Sequence, residues 1–130
     1  MIAVDTSAVV AVLLGEAEAD LMRDILRAAD DARMSAANLA ECQIVLDNRT
    51  GDDNGDLLRA MLFELRVAIE PVTAADAWTA AKAYRCFGKG RHPARLNYGD
   101  CFAYALATNL DVPLLFKGDD FRHTDVRAVL

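Results

Sequence analysis

Short apolar runs and longer amphipathic stretches alternate along this chain. Residues 2–4 form an apolar run in which two of the three side chains are β-branched, and this predicts a short strand buried on both faces. Residues 67–72, with a proline near their end, and residues 112–116 predict two further strands. Residues 33–35 predict a very short strand, and the last segment, residues 125–130, predicts an edge strand.

The stretches between these runs carry apolar residues at three- and four-residue spacing, which predicts helices. The predicted helices cover residues 8–14, 16–29, 36–49, 56–66, 74–87 and 98–109. Thr6 or Ser7 is expected to cap the first helix, and Thr73 and Asn97 are expected to cap the last two. Strands that alternate with helices indicate an α/β fold with a mainly parallel sheet, and the length indicates one domain, residues 1–130.

Four acidic residues that are far apart in the chain are expected to meet at one edge of this sheet. Asp5 follows the first strand and Asp119 follows the last of the buried strands. In an open parallel sheet the carboxyl ends of the strands lie at one edge, where ligands bind. Glu41 and Asp100 lie early in helices that start from the same edge. Taken singly, Asp5 and Asp100 are also typical helix-capping acids, and Glu41 is a typical surface residue.

A cluster of carboxylates has a predictable chemistry. The charges repel one another, so the pKa values of the acids rise unless a cation compensates. Oxygen ligands without histidine or cysteine favour Mg²⁺ or Mn²⁺ over zinc. Such an ion, bound through one or two carboxylates, retains several waters and polarises a phosphate. The acids therefore predict phosphodiester hydrolysis as the reaction class.

The composition is that of a folded protein without a membrane segment. Hydrophobic residues make up 54% of the chain, and no apolar run approaches the roughly 20 residues that a membrane span needs. The apolar start has no preceding basic residue, so it is not a signal peptide and we expect a cytoplasmic protein. Cys42, Cys86 and Cys101 are not spaced as metal ligands and are expected to be reduced.

Charge is unevenly distributed along a chain whose net charge is −6. No acidic residue occurs between residues 77 and 99, a stretch that supplies five Lys and Arg residues. The overall acidity argues mildly against nucleic-acid binding, whereas one local basic surface is compatible with phosphate binding. Lys89, Arg91 and Arg95 lie on a loop that leads towards Asp100, and we expect them to contact a phosphate backbone.

Four segments together resemble the PIN-domain ribonucleases, and closely the VapC toxins of bacterial type II toxin–antitoxin pairs. The segments are VDTSAVVAVLLGE at the start, SAANLAE ending at Glu41, GKGRHPARLNYGDCFAYALA around Asp100, and PLLFKGDDFRHTDV near the end. The resemblance covers essentially the whole chain. It implies a three-layer α/β/α sandwich with a mainly parallel, short-stranded central sheet.

The resemblance assigns roles to particular residues. Asp5, Glu41 and Asp100 match the family's three acids, which implies catalysis and binding of Mg²⁺, for which Mn²⁺ would substitute. The fourth acid of the site is Asp119 or Asp120. Asp119 is preferred, because Asp120 and the phenylalanine after it look like a structural pair.

The family also implies supporting groups and partners. The hydroxyl of Thr6 or Ser7 would support the metal or the scissile phosphate. The implied activity is that of an endoribonuclease that cuts RNA, such as tRNA or ribosomal RNA, and thereby inhibits translation and growth. The implied partners are a second copy of the chain and a VapB-type antitoxin, whose apolar segment is expected in a groove between the helices at 8–14, 16–29 and 36–49.

Two other functions remain open from the sequence. One is a PIN-like module that binds without catalysis. The other is a Mg²⁺-binding receiver-like or phosphatase-like α/β domain, in which Lys117 would correspond to the lysine after a late strand. The acidic strand that a receiver needs ahead of Asp5 is missing. Whether the site takes one metal ion or two also stays open.

Overall fold

A computed structural model describes residues 1–130 and contains one four-stranded parallel sheet. The strands are β1 (Ile2–Val4), β2 (Ala32–Ser35), β3 (Val67–Glu70) and β4 (Leu114–Leu115), in the order β3–β2–β1–β4. Ala3 pairs with Arg33 on one side and with Leu114 on the other, so β1 is an internal strand. The predicted parallel sheet of short strands is confirmed.

Six helices connect and cover these strands. They are α1 (Thr6–Leu13), α2 (Ala19–Ala28), α3 (Ala36–Thr50), α4 (Gly55–Glu64), α5 (Ala74–Phe87) and α6 (Tyr98–Leu110). All begin and end close to their predicted bounds. The largest difference is at α2, which begins three residues late because Gly15 adopts a positive φ of 63° within a turn. No helix has both the length and the apolar character that a membrane crossing requires.

The helices form a layer on each face of the sheet, as the resemblance implied. On one face, Val4 and Met34 lie in a core that also contains apolar residues of α1, α2, α3 and α4. On the other face, Ala3 and Leu114 lie in a second core with residues of α5 and α6. Seven residues of α6 are buried, which explains why this helix is apolar around most of its circumference.

The predicted edge strand at residues 125–130 does not form. Only Ala128 pairs with Leu114, in an isolated bridge. The Leu114 N–H donates to the carbonyl of Arg127 at 2.8 Å, and the Val129 N–H donates to the carbonyl of Leu114 at 3.1 Å. Because β4 is only two residues long, the ladder does not extend beyond this bridge.

Two helix starts position the acidic residues. Asp5 itself caps α1, since its side chain accepts from the Ser7 N–H; the prediction that Thr6 or Ser7 is the cap is wrong, because both already lie in the helix. At α6 the predicted cap is confirmed as a capping box, in which the side chains of Asn97 and Asp100 each accept from the other residue's N–H. Both acids therefore lie at a helix N-terminus.

Candidate active site

An acidic cavity opens at the carboxyl ends of β1 and β4, beside the first turns of α3 and α6. Its volume is about 390 Å³, and Asp5, Glu41 and Asp100 all form part of its wall. The other lining residues are Thr6, Ser7, Val10, Glu16, Val45, Arg49, Asn97, Lys117 and Gly118. Three acids from distant parts of the chain thus share one small space, as the order of the elements predicted.

Asp5 is buried and held through one of its two carboxylate oxygens. Its Oδ2 accepts from the N–H of Ser7 at 3.0 Å and from the Ser7 hydroxyl at 2.6 Å. The Ser7 Oγ in turn accepts from the N–H of Lys117 at 2.9 Å, which ties α1 to the end of β4. The other oxygen, Oδ1, is buried and accepts no hydrogen bond. Burial, aided by repulsion from Glu41, raises the pKa of Asp5 to about 6 against the lowering effect of the Ser7 hydrogen bonds.

Glu41 is oriented by two neighbours on different helices. Its Oε1 accepts from the hydroxyl of Thr6 at 2.5 Å and from the Asn38 side-chain amide at 3.2 Å. Asn38 is fully buried, and its Nδ2 also donates to the carbonyl of Gly99 at 2.9 Å. The amide thereby links α3 to the start of α6. Nothing in the sequence pattern singled out Asn38, because a buried asparagine inside a helix has no periodicity that distinguishes it from a surface residue.

Asp100 serves both as a helix cap and as a wall of the cavity. Its Oδ2 accepts from the N–H of Asn97 at 3.0 Å, and its own N–H donates to the Asn97 side chain at 2.8 Å. Burial raises the pKa of Asp100 to about 7, and the charges of Asp5, Glu41 and Asp120 act in the same direction, against the lowering effect of the Asn97 hydrogen bond. The cap role of Asp100 is thus confirmed, and its role as an acid of the site stays a prediction that its place in the cavity wall supports.

The two candidates for the fourth acid differ in their relation to Asp100. Both Asp119 and Asp120 are exposed, and neither lines the acidic cavity. Asp120 is nevertheless close enough for its charge to raise the pKa of Asp100. The phenylalanine that follows, Phe121, packs against Phe116 with a ring separation of 5.1 Å. The charge of Asp120 thus reaches Asp100, while the choice between Asp119 and Asp120 as the fourth acid stays a prediction.

The polar residues around the acids mostly orient them. The hydroxyls of Thr6 and Ser7, expected to support a metal or phosphate, are donated to the carboxylates of Glu41 and Asp5. Two cations also line the cavity: Arg49, which no sequence pattern indicated, and Lys117, which was named only for the receiver-like alternative. The Nζ of Lys117 is paired with Glu16 at 2.6 Å and with Glu18 at 3.3 Å. Arg49 is exposed and makes no ion pair.

The donor set fits a hard divalent cation that keeps most of its water. All the candidate ligands are carboxylate oxygens, and the buried Oδ1 of Asp5 has no partner in the chain. No three acidic, histidine or cysteine side chains are close enough together to coordinate one ion directly. A cage of four carboxylates is therefore not formed. An ion bound through one or two carboxylates, with Asp5 and Asp100 as the candidates, matches the way Mg²⁺ usually binds.

The loop that carries Lys89, Arg91 and Arg95, which was predicted to contact a phosphate backbone, lies beside the acidic cavity. Its ends are closed by hydrogen bonds between Lys89 and Leu96 at 2.9 Å and between Leu96 and Phe87 at 3.0 Å. None of Lys89, Arg91 and Arg95 lines the acidic cavity; Lys89 instead lines a second cavity between α5 and α6.

Comparison with known proteins shows the same fold and closely similar sequences. Residues 2–127 match the PIN domain family. The chain is 49% identical to a ribonuclease VapC of Mycolicibacterium smegmatis over 128 residues, which cover 97% of this chain and 98% of that protein. Its fold is similar to Mycobacterium tuberculosis VapC20, described as a toxin that cleaves the sarcin–ricin loop, with a TM-score of 0.78, 20% identity and coverage of 99% and 98%. It is also similar to a chain of a toxin–antitoxin complex from Klebsiella pneumoniae, with a TM-score of 0.71, 13% identity and coverage of 96% and 93%.

Proposed function

The chain belongs to the VapC family of PIN-domain ribonucleases, and from its acidic cavity we propose that it is a Mg²⁺-dependent endoribonuclease and the toxin of a type II toxin–antitoxin pair. One observation carries the proposal. Asp5 and Asp100, with pKa values raised to about 6 and about 7, share a cavity with Glu41. Acids whose charged forms are disfavoured in this way are stabilised by a bound cation.

The acidic residues of the cavity would have different roles in RNA hydrolysis. Bound Mg²⁺ would polarise the scissile phosphate and lower the pKa of an attacking water. Asp5, locked by Ser7, presents its free Oδ1, and Asp100 is held by the α6 capping box. Glu41 is fixed through Oε1, so Oε2 is the atom available to accept a proton from the attacking water.

Cations at the rim of the cavity support RNA as the substrate class. Arg49 has no acidic partner, so it is free to pair with a phosphate oxygen, and Lys117 also lines the cavity. Lys89, Arg91 and Arg95 extend the positive surface beyond Asn97. A local basic rim of this kind offsets the net charge of −6 where the RNA backbone would pass.

A groove formed by α1, α2 and α4 is the proposed site of the antitoxin. It has a volume of about 300 Å³ and is lined by Val12, Leu13, Arg23, Leu57, Ala60, Met61, Glu64 and Leu65, from α1, α2 and α4 and the residue after α4. We prefer this groove to the one expected between α1, α2 and α3. Met22 and Leu26 of α2 are buried in the core, and Val45 of α3 lines the acidic cavity instead.

An apolar segment of a VapB-type antitoxin would lie in this groove as a helix or extended strand. Leu57 is 55% exposed, so a partner would bury a side chain that is now in water. The polar residues Arg23 and Glu64 at its margin supply one charge of each sign for orientation. We propose a homodimer as the form that binds the antitoxin.

The proposed activity is tested by mapping RNA ends in cells after brief induction of the chain. Wild-type protein should arrest growth and create new 5′ ends at defined positions in tRNA, ribosomal RNA or another RNA. The Asp100→Asn variant, expressed to the same level, should do neither. New ends that appear equally with both proteins, or growth arrest without any new end, would overturn the proposal.

A further inference from the structure

A buried asparagine joins the two helices that carry Glu41 and Asp100. Asn38 lies in the first turn of α3, and no part of it reaches solvent. Its side-chain amide donates to the Glu41 Oε1 at 3.2 Å and to the carbonyl of Gly99 at 2.9 Å. The bond to Gly99 is the only side-chain hydrogen bond between α3 and α6. Because Gly99 directly precedes Asp100, the amide relates the positions of two acids that belong to different helices.

The neighbours of the Asn38 side chain determine which way its amide points. The Gly99 carbonyl can only accept a hydrogen bond, so it must face the amide nitrogen, whose hydrogens also reach the Glu41 carboxylate. The amide oxygen, Oδ1, therefore points away from both groups, and it is buried without a hydrogen-bond partner in the chain. A buried acceptor without a partner costs stability. Packing alone therefore does not explain an asparagine at this position, whereas the two bonds from its nitrogen do.

The second donor to Glu41 is shared between two acceptors. The hydroxyl of Thr6 lies 2.5 Å from the Glu41 Oε1 and 3.2 Å from the backbone carbonyl of Asn38. A hydroxyl has one hydrogen, so it donates to one of these acceptors at a time. The Asn38 amide has two hydrogens and serves the Glu41 carboxylate and the Gly99 carbonyl together. Asn38 thus ties Glu41 to α6, whereas Thr6 ties it to α1.

These two donors leave one oxygen of Glu41 for chemistry. Both contact Oε1, and no group of the chain donates a hydrogen bond to Oε2. Oε2 lies against Gly99, where a Cβ atom would come within 1.9 Å of it, so the carboxylate fits closely on that side. The contacts at Oε1 therefore determine that Oε2 is the oxygen available to a water in the acidic cavity.

From these contacts we infer that Asn38 is a positioning residue of the nuclease reaction, which holds Glu41 so that its Oε2 accepts the proton of the attacking water and keeps Glu41 at a fixed distance from Asp100. The inference rests on the proposed function. Asn38 lines no part of the acidic cavity, so it acts through Glu41 and touches neither the RNA nor the metal. Replacing a residue that orients the groups of a metal site typically costs about 10- to 100-fold in activity.

The test is single-turnover cleavage of a short RNA in Mg²⁺, with the enzyme in excess, for Asn38→Ala and Asn38→Leu. Alanine leaves a space, whereas leucine has as many side-chain heavy atoms as asparagine and no donor, so a loss common to both belongs to the donor. Each variant should lower the maximal rate by about 10- to 100-fold, while the enzyme concentration at half-maximal rate should change little. Asn48→Ala is the matched control, since Asn48 is exposed on the same helix. Melting curves establish that each variant is folded, and either Asn38 variant alone suffices.

A double-mutant cycle separates positioning from a general structural role. In the Glu41→Ala background, Asn38→Ala should change the residual rate by less than about 2-fold, because the side chain that it positions is absent. A merely structural effect of Asn38→Ala would lower the rate equally in both backgrounds. The crystal structure of Asn38→Ala should show the Glu41 carboxylate displaced by about 1 Å or more, with the capping box of Asn97 and Asp100 intact.

Three results would overturn the inference. They are cleavage by the Asn38 variants at the wild-type rate, an equal loss of rate with and without Glu41, and a Glu41 carboxylate that stays in place in the Asn38→Ala structure. If the wild-type chain does not cleave RNA in Mg²⁺, the proposed function itself fails, and the crystal structure still decides whether Asn38 holds Glu41. If the wild type cleaves RNA and the Asn38 variants cleave it equally well, only the role of Asn38 fails.

Discussion

Glu41 of α3 lies directly against Gly99 of α6, so closely that a Cβ atom on Gly99 would stand 1.9 Å from the Glu41 Oε2. The Glu41 carboxylate occupies the space that the Cβ atom of any residue other than glycine would fill at position 99. The side-chain amide of Asn38 donates hydrogen bonds to Glu41 and to the carbonyl of Gly99, and so holds the two residues together. The position of the acid thus depends on the absence of a side chain on the neighbouring helix.

Gly99→Ala is expected to displace the Glu41 carboxylate without unfolding the protein. The atoms in the way belong to the end of a flexible side chain, and alanine favours the helix more than glycine does. Because a misplacement of about 1 Å at a catalytic group costs on the order of 100-fold, RNA cleavage should fall by about 10- to 100-fold. The measurement is single-turnover cleavage, with the melting temperature recorded in parallel.

Gly55→Ala serves as its control, since Gly55 also lies in the first turn of a helix and its Cβ would meet side-chain atoms no nearer than 3.0 Å. This variant should cleave as wild type does. Equal activity of Gly99→Ala and Gly55→Ala would show that the position of Glu41 does not matter for cleavage.

The metal-free protein should lose stability as the pH rises. The pKa of Asp5 is raised to about 6 and that of Asp100 to about 7, from 3.8 in the unfolded chain. Between about pH 4 and pH 7 the native state therefore binds more protons than the unfolded state, and the free energy of unfolding falls with rising pH. Asp100→Asn should flatten this fall and stabilise the metal-free protein at neutral pH by about 1–3 kcal/mol.

Denaturant unfolding in EDTA across this pH range measures the effect. Asp24→Asn, on the exposed face of α2, is the control and should follow the wild-type curve. Parallel curves for wild type and Asp100→Asn would contradict the assignment of the raised pKa. Added Mg²⁺ should remove most of the difference, because the cation compensates the same charge.

Asp120→Asn should weaken Mg²⁺ binding more than Asp119→Asn does. Asp120 acts on Asp100 through its charge, whereas Asp119 precedes the 3₁₀ turn at Asp120–His123 and has no side-chain hydrogen bond there. Both residues are exposed, so the effect is modest, about 2- to 5-fold in the dissociation constant. Calorimetric titration with Mg²⁺ ranks the two variants, and the reverse ranking would return the role to Asp119.

Leu57→Glu should weaken binding of the antitoxin without changing the rate of RNA cleavage. The side chain is exposed in the groove of α1, α2 and α4, on a different face from the acidic cavity. A charge there should weaken binding of a peptide from the cognate antitoxin by about 10-fold or more. Phe63→Glu, on the same helix but outside the groove, is the control in the same titration. Inhibition that survives Leu57→Glu unchanged would move the antitoxin to another surface.

Much of this architecture follows from local rules in the sequence. A short β-branched run followed by Asp5 encodes a strand and a helix cap within four residues, and the box of Asn97 and Asp100 is set by side-chain to backbone hydrogen bonds between neighbours. The parallel order then brings both acids to one edge of the sheet. The strand, the helix cap and the capping box depend on residues that are close together in the chain, so the sequence predicts them.

Other features depend on contacts between distant residues. The bond from Asn38 to Gly99 joins residues of two helices, and the pairing of Lys117 with Glu16 joins the end of β4 to the turn after α1. Arg49 lines the cavity only because α3 runs past it. No periodicity or local motif reports such packing, which is why Asn38, Lys117 and Arg49 were not predicted as part of the site.

The most direct test of the account is the rate of RNA cleavage as a function of Mg²⁺ concentration, for wild type, Asp5→Asn and Asp24→Asn. Wild type and Asp24→Asn should show the same saturable dependence on Mg²⁺ and no cleavage in EDTA. Asp5→Asn should remain folded, with a melting temperature at or above that of the metal-free wild type, and should cleave at least about 100-fold more slowly. Full cleavage by Asp5→Asn, or wild-type cleavage that persists in EDTA, would contradict the claim that this acidic cavity is a metal-dependent nuclease site.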